Sequence, residues 1–192
     1  ETVTNDFQLL EFPYPVGNVV ATELTDDAVQ ITWGEGGGGS IAEWLFYDDG
    51  TNVDGIGGPA VFSWAIKFDP AQLTDYAGAS LTKIAIYNRV ATADLLQIYE
   101  GTNAETLLHE QSLTGLPVEA WSEVDLTAAV PLDVTKELWI TVYTTNGANY
   151  PAGCGPTQNQ PNGDLLSLDG VVWEHLSDYA LPYTWNLRGY VT

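Results

Sequence analysis

Almost every apolar segment of this chain is short, rich in β-branched or aromatic residues, and closed off by Gly, Pro, Asn or Asp. Such segments specify strands, whose side chains alternate between two faces, and not helices, whose apolar positions recur every three or four residues. AVQITW (28–33), EWLFYDD, AVFSWAIKFD, SLTKIAIYN, DLLQIYEG, TLLHEQSL, WSEVDL, ELWITVYTT, DLLSLDG, VVWEHL and YTWNLRGYV make about eleven candidates, spaced as in an antiparallel sandwich. In WSEVDL, Trp121, Glu123 and Asp125 share one face, with Ser122, Val124 and Leu126 on the other. In VFSWAIKF, Val61, Ser63, Ala65 and Lys67 lie opposite Phe62, Trp64, Ile66 and Phe68, which predicts sheets with one buried side. One stretch, DPAQLTDYAG (69–78), predicts a short turn of helix: Asp69 can cap it, Pro70 takes the first helical position and Gly78 closes it.

The run GEGGGGS (34–40) divides the chain, because glycines leave the backbone free to wander as a linker or long loop. Before it, PVGNVVATELTDDAVQITWGE carries two strand patterns around TDD, and two strands cannot bury a core alone. The expected organisation is a strand pair and linker over residues 1–40 and a main domain over 41–192, since 192 residues suit one domain with a short addition.

Charge narrows the partners. Twenty-six acidic residues face five basic ones, for a net charge of -21, yet 45% hydrophobic and 11% aromatic residues are too many for a disordered acidic chain. Lys67, Lys83, Arg89, Lys136 and Arg188 are scattered, so no basic patch exists to neutralise phosphates; nucleic acid and anionic membrane surfaces are disfavoured. No run of about 18 apolar residues occurs, so no membrane insertion is expected. The chain lacks methionine and begins ETVTND, consistent with removal of a signal peptide or excision of a domain. Cys154 is the lone cysteine, and PAGCGPTQNQP offers no neighbouring base to activate it, so it reads as a small buried hydrophobe.

No catalytic residue is assigned, and the chain reads as a non-enzyme. G-x-S-x-G, H-E-x-x-H and G-x-x-x-x-G-K are all absent from the sequence. His109 in LLHEQ and His175 in WEHLS have no second histidine at metal-ligand spacing and read as structural. Paired acids suffice for glycoside hydrolysis, but among 26 acids such pairs arise by chance.

The most chemically loaded phrase is FYDDGTNVDGIGG (46–58). Calcium takes about six to eight hard oxygens, which Asp48, Asp49, Asn52 and Asp54 could supply while Gly50, Gly55, Gly57 and Gly58 fold carbonyls inward. It is not an EF-hand, because aligning Asn52, Asp54 and Gly55 with the third, fifth and sixth loop positions puts Gly50 and Val61 where acids are required. A solvated loop of Asx turns is the other reading of the same residues. A second polar run, NQPNGDLLSLDG (159–170), carries Asn159, Asn162, Asp164 and Asp169; metal ligation is one reading, and a plain turn before a hairpin is the simpler one, because Asn-Gly is a hairpin signal. Among the aromatics, Trp64, Trp139 and Trp185 sit in strand patterns and are expected in the core. Tyr150 lies in the Gly/Pro/Asn loop NGANYPAGCG, where ligand-binding residues tend to be displayed, and Trp173 and Tyr183 flank other loops; the alternative is that all three plug the ends of the sandwich.

PVGNVVATELTDDAVQITW resembles the first two strands of a fibronectin type III module. From WLFYDDGTNVDGIG through FSWAIKFDP, LTKIAIY, LQIYEG, WSEVDLT, KELWITVYTT and YTWNLRGYV, the chain is similar to the jelly-roll modules of the cleaved-adhesin family, over most of residues 43–192. Those are the haemagglutinin and adhesin domains attached to gingipain-type proteases and found in other secreted bacterial surface proteins. The resemblance implies an all-β, galactose-binding-like jelly-roll β-sandwich with a short N-terminal β extension, and structural Ca2+ in the loop of Asp48, Asp49, Asn52 and Asp54. It further implies a secreted or cell-surface, noncatalytic adhesion module, monomeric as an isolated domain, with a host or matrix protein or a glycan as partner. The runner-up is a carbohydrate-binding module of a secreted glycan-degrading or proteolytic enzyme, because sugar rings stack on exposed Trp and Tyr.

Overall fold

A computed structural model of the protein describes residues 19–25, 28–33, 41–58, 60–91, 94–144 and 150–192, the first two segments as backbone alone. The chain divides into two compact units, Glu1–Ile41 and Ala42–Thr192. In the first, β1 (Val19–Thr25) pairs antiparallel with β2 (Ala28–Trp33), Val19 opposite Trp33. The TDD turn's Asp26 and Asp27 and the linker GEGGGGS lie outside the described residues.

The second unit is an all-β sandwich. Its elements are β3 (Glu43–Phe46), β4 (Asp54–Ile56), β5 (Ser63–Phe68), α1 (Pro70–Leu73), β6 (Ser80–Asn88), β7 (Asp94–Glu100), β8 (Thr106–Leu113), β9 (Ala120–Pro131), β10 (Leu138–Tyr143), β11 (Ala152–Pro156), β12 (Leu165–Ser167), β13 (Glu174–His175), β14 (Tyr183–Trp185) and β15 (Leu187–Val191). One antiparallel sheet runs β13-β12-β5-β10-β7-β8; the other runs β14-β11-β6-β15-β3, with β4 added beside β11 and β9 beside β6. The single helical turn α1 sits where expected, with the Asp69 backbone N–H donating to Gln72 Oε1 at 3.0 Å and Gly78 at φ 83°.

The core fills the space between the sheets. Ile66, Leu96, Ile98, Ile140 and Val142 from one sheet meet Ile84, Ile86, Trp185 and Leu187 from the other, all essentially inaccessible. Each such aliphatic side chain contributes about 1.5–3 kcal/mol of transfer free energy. Trp64 packs on Trp185 with ring centroids 5.3 Å apart, and Tyr47 stacks on Phe68 at 5.0 Å. Gly189 on β15 lets the layers close: a Cβ there would strike Ile140 and come within 2.7 Å of Leu81 Cδ1.

Alternation holds on β9, where Glu123 and Asp125 are exposed and Ser122, Val124 and Leu126 are half-buried. It does not hold on β5 and β10, where the expected wet face is partly covered. Trp139 on that outward face packs with Ala65 and Leu165 beneath Tyr99, Ala104 and Trp173, so even the small residues of β5 are sealed. Trp139 is further fixed by its Nε1–H, which donates to Gly101 O at 3.0 Å.

One further expectation is corrected. β4 and β11 read as loop in the sequence because DGI and AGCGP lack large side chains, but those glycines admit close backbone approach. A Cβ on Gly153 would lie 2.7 Å from Tyr87 O, and one on Gly155 2.7 Å from Thr51 O. The Asn162-Gly163 turn comes just before the β12–β13 hairpin, as expected, and is not itself a hairpin loop, because β11 and β12 on either side belong to different sheets. Gly163 lacks the positive φ of the tight hairpin turn and instead presses against Tyr47, where a Cβ would meet Tyr47 Cβ at 2.7 Å.

Candidate functional site

The acidic loop follows β3 directly, so its first residues inherit the strand's alternation. Tyr47 points inward, its hydroxyl donating to Lys67 O at 2.6 Å, and burial pushes that phenol up to about 12. Asp48 is also enclosed, at 4% exposure, and it meets Arg188 of β15. The Arg188 Nε–H reaches both carboxylate oxygens at 3.0 and 3.1 Å, Nη2 donates to Oδ1, and the Gly50 N–H adds a bond of 2.8 Å. The guanidinium lies 4.4 Å from the ring centroid of Trp121 and 4.8 Å from that of Phe46, while Trp121 Nε1–H donates to Gly50 O at 3.1 Å. A planar cation between two ring faces and against a carboxylate is well stabilised in three directions.

The other predicted ligands go elsewhere. Asp49 Oδ1 accepts from the Thr51 hydroxyl at 2.6 Å and the Thr51 N–H at 2.9 Å; the hydroxyl bond is the main reason its carboxyl is held below the usual range. Asn52 Oδ1 and Thr51 O both accept from Asn186 Nδ2, at 3.0 and 3.1 Å. Asp54 accepts the Tyr183 hydroxyl at 3.1 Å and the Gly55 N–H at 2.8 Å, with Arg89 Nη1 at 3.8 Å. Asp48, Asp49 and Asp54 therefore do not converge, and no cluster of three or more His, Cys, Asp or Glu suited to a metal occurs among the described residues.

A narrower set of residues could hold a hard cation. Asn186 is inaccessible, and its Oδ1 has no hydrogen-bond partner among the described residues. Beside Gly155, Thr51 O, Asn186 Oδ1 and Asp49 Oδ1 lie 2.7, 3.3 and 3.4 Å from the point where a Cβ would stand. Asn186 Nδ2 donates to Thr51 O and Asn52 Oδ1, so the amide's orphaned Oδ1 is the oxygen left open at this cradle. Asp49, Thr51, Asn52 and Asn186 are the donors that fit; Asp48 and Asp54 face arginines instead.

The three aromatic candidates divide. Tyr150 is 59% exposed at φ 55°, its N–H bonded to Gly57 O and its carbonyl close over Gly55. Tyr183 is half-buried on β14, and its hydrogen bond to Asp54 raises its phenol pKa. The structure thus gathers Tyr150, Tyr183, Asp54 and Arg89 around β4. Trp173 lies apart, half-buried against Trp139 with ring centroids 5.1 Å apart. His175 Nδ1 pairs with Asp164 Oδ1 at 2.8 Å and His109 Nε2 with Gln111 Oε1 at 2.8 Å; in the latter pair a short bond fixes a side chain of β8. Compared with known proteins, the chain matches no family profile, no curated protein and no solved structure.

A groove of 340 Å³ opens on the outward face of the first sheet. Its floor and walls include Ser63, Gln97, Tyr99, Tyr143, Ser167 and Asp169. It forms where the cover over Trp139 stops: Tyr143 is four residues farther along β10, on the same face, and the segment after β12 makes the facing lip. Sequence reasoning passed over these residues because each lies in a strand phrase whose large apolar members drew attention to the opposite face. Arg188 and Asn186 were likewise hidden, since their partners lie about 140 residues upstream in the chain.

Proposed function

We propose that Ala42–Thr192 is a noncatalytic binding module of adhesion type, a jelly roll of the cleaved-adhesin kind carried by a secreted or surface protein and stabilised by calcium. The observation that carries this reading is the open groove on the sheet face, which presents hydroxyl, amide, carboxylate and tyrosine groups on a scaffold held rigid by the core beneath it. Recognition needs no more than such preformed contacts. Calcium is supported by the buried, unpartnered Asn186 Oδ1 beside Asp49, Thr51 and Asn52. Bound there, the ion would join the acidic loop to the last strands of the sandwich, and its chemistry would be structural. The ordered strand phrases support the family and location.

The test is to incubate the full chain with polysaccharides and matrix proteins, measuring retention and product release together. Retention of at least one class of ligand without turnover is expected. Catalytic release of saccharide or peptide products would overturn the reading.

A further inference from the structure

The groove on the outward sheet face has a chemistry that selects among ligands. Tyr99 and Tyr143 bring aromatic rings to its walls, from neighbouring strands β7 and β10. Gln97 donates its amide N–H to Glu110 Oε2 at 2.8 Å, which orients the amide and leaves its oxygen able to accept. At the lip, Asp169 Oδ1 receives the Val171 and Val172 N–H groups, each at 2.8 Å, and the Ser167 hydroxyl at 3.1 Å. Those bonds, the Val172 N–H foremost, hold the Asp169 carboxyl below the usual range and fix its orientation. The carboxylate's second oxygen can accept from a ligand hydroxyl.

Charge excludes the alternatives. Neither Lys nor Arg lines the groove among the described residues, and the nearest lysine in its floor strand, Lys67, is tied to Glu137 at 2.9 Å and Asp69 at 3.1 Å. With Asp169 at the lip and Glu110 beside Gln97, a carboxylated, sulfated or phosphorylated ligand meets repulsion with nothing to offset it. The volume of 340 Å³ falls near the lower end of the range of about 300–1,000 Å³ for small-molecule sites. Apolar ring faces, multiple hydroxyl partners and no cation together describe an uncharged sugar.

We propose that this groove binds a short neutral glycan, a pyranose stacking on Tyr143 with its hydroxyls shared between Gln97 and Asp169. The assignment rests on the binding-module reading and names the ligand class of that site. It is tested on the full chain by calorimetry with gluco-, manno-, galacto- and xylo-oligosaccharides, alongside uronic-acid and sulfated oligosaccharides. One neutral class is expected to bind, with affinity at least tenfold lower in Tyr143→Ala and retained in Tyr143→Phe. Gln97→Ala, in a side chain at the groove wall, is a second route to the same loss if Tyr143→Ala melts early. Preference for acidic oligosaccharides would overturn the assignment, as would neutral binding that survives both alanine variants but is lost in Tyr150→Ala. Silence toward every glycan while a matrix protein binds would overturn the glycan and leave the binding module standing.

Discussion

Arg188 and Asp48 form an enclosed ion pair between the last strand of the sandwich and the loop that follows its first. The carboxylate side chain is wholly buried while the arginine side chain keeps 24% exposure. Removing one member leaves the other's charge desolvated, which costs about 3–5 kcal/mol at such sites. Asp48→Asn is expected near the lower limit, because Arg188 retains its ring contacts and some water. For a domain of this size that lowers the melting temperature by about 6–12 °C. The double variant Asp48→Asn/Arg188→Met should recover much of the loss, which thermal melting by circular dichroism reads directly; no recovery would mean that the pair's hydrogen bonds, and not its charge balance, hold the loop.

Gly57 and Gly58 are neighbours with opposite tolerance. Gly57 has φ 106°, and a Cβ there would strike the Phe62 ring and lie 3.1 Å from Pro151 Cδ. Gly58 has no atom within 4 Å of the same position among the described residues. Gly57→Ala is expected to cost about 2 kcal/mol or more, from strain and steric displacement together. Gly58→Ala should stay within about 0.5 kcal/mol of the parent, as surface substitutions usually do. Urea titration of both variants measures the contrast, and equal costs would contradict the backbone geometry of this turn.

Alkaline pH should destabilise the domain over a defined window. Burial pushes the Cys154 thiol from 9.0 up to about 12 and the Tyr47 phenol from 10.0 up to about 12. Both raised groups favour the folded state while they are neutral in both states, so their contribution is fully present below pH 9. It is lost as pH rises toward 12, because the unfolded chain then releases protons that the folded chain retains. Stability measured by denaturant should fall between pH 9 and 12, less steeply in Cys154→Ala. In the folded parent at pH 8, a disulfide reagent should label Cys154 only as fast as the protein opens; immediate labelling would show the thiol to be accessible.

Calcium at about a hundred times its dissociation constant adds about 2.7 kcal/mol to a protein that binds it only when folded. The melting temperature should therefore rise by about 5–10 °C over a chelator-treated sample. Asp49→Ala should remove most of that rise, and Asp54→Ala should leave it intact. The reverse pattern would move the site to the cluster of Asp54, Arg89 and Tyr183.

Much of the sandwich was legible because its strands carry their own alternation. SLTKIAIYN and DLLQIYE run as β6 and β7 over the lengths the phrases suggest. β4 and β11 were not, because their stability comes from what the absence of side chains permits: Gly153 and Gly155 let Tyr87 O and Thr51 O approach. Such contact belongs to pairs of segments and leaves no periodic trace in either. The oxygen chemistry around residues 49–52 was visible as composition, but the choice among its members was not. That choice depends on where Arg188 and Asn186 arrive, and strand order alone determines this. Tyr150, Trp173 and Tyr183 were picked for loop position, whereas the groove residues Gln97, Tyr99 and Tyr143 lie within strands, on a face whose exposure depends on how far Trp173 and its neighbours extend across it.

Glu43 opens β3 and sits directly opposite Val191 near the end of β15, so the sandwich takes in its chain and lets it out at one corner. Tension applied through those two points would load the β3–β15 ladder from its end, breaking hydrogen bonds in succession and not all at once. A domain threaded this way yields at low force by peeling, and single-molecule pulling between residues 43 and 191 should register a weak first step. It can also be inserted into a host protein's loop without separating that loop's ends.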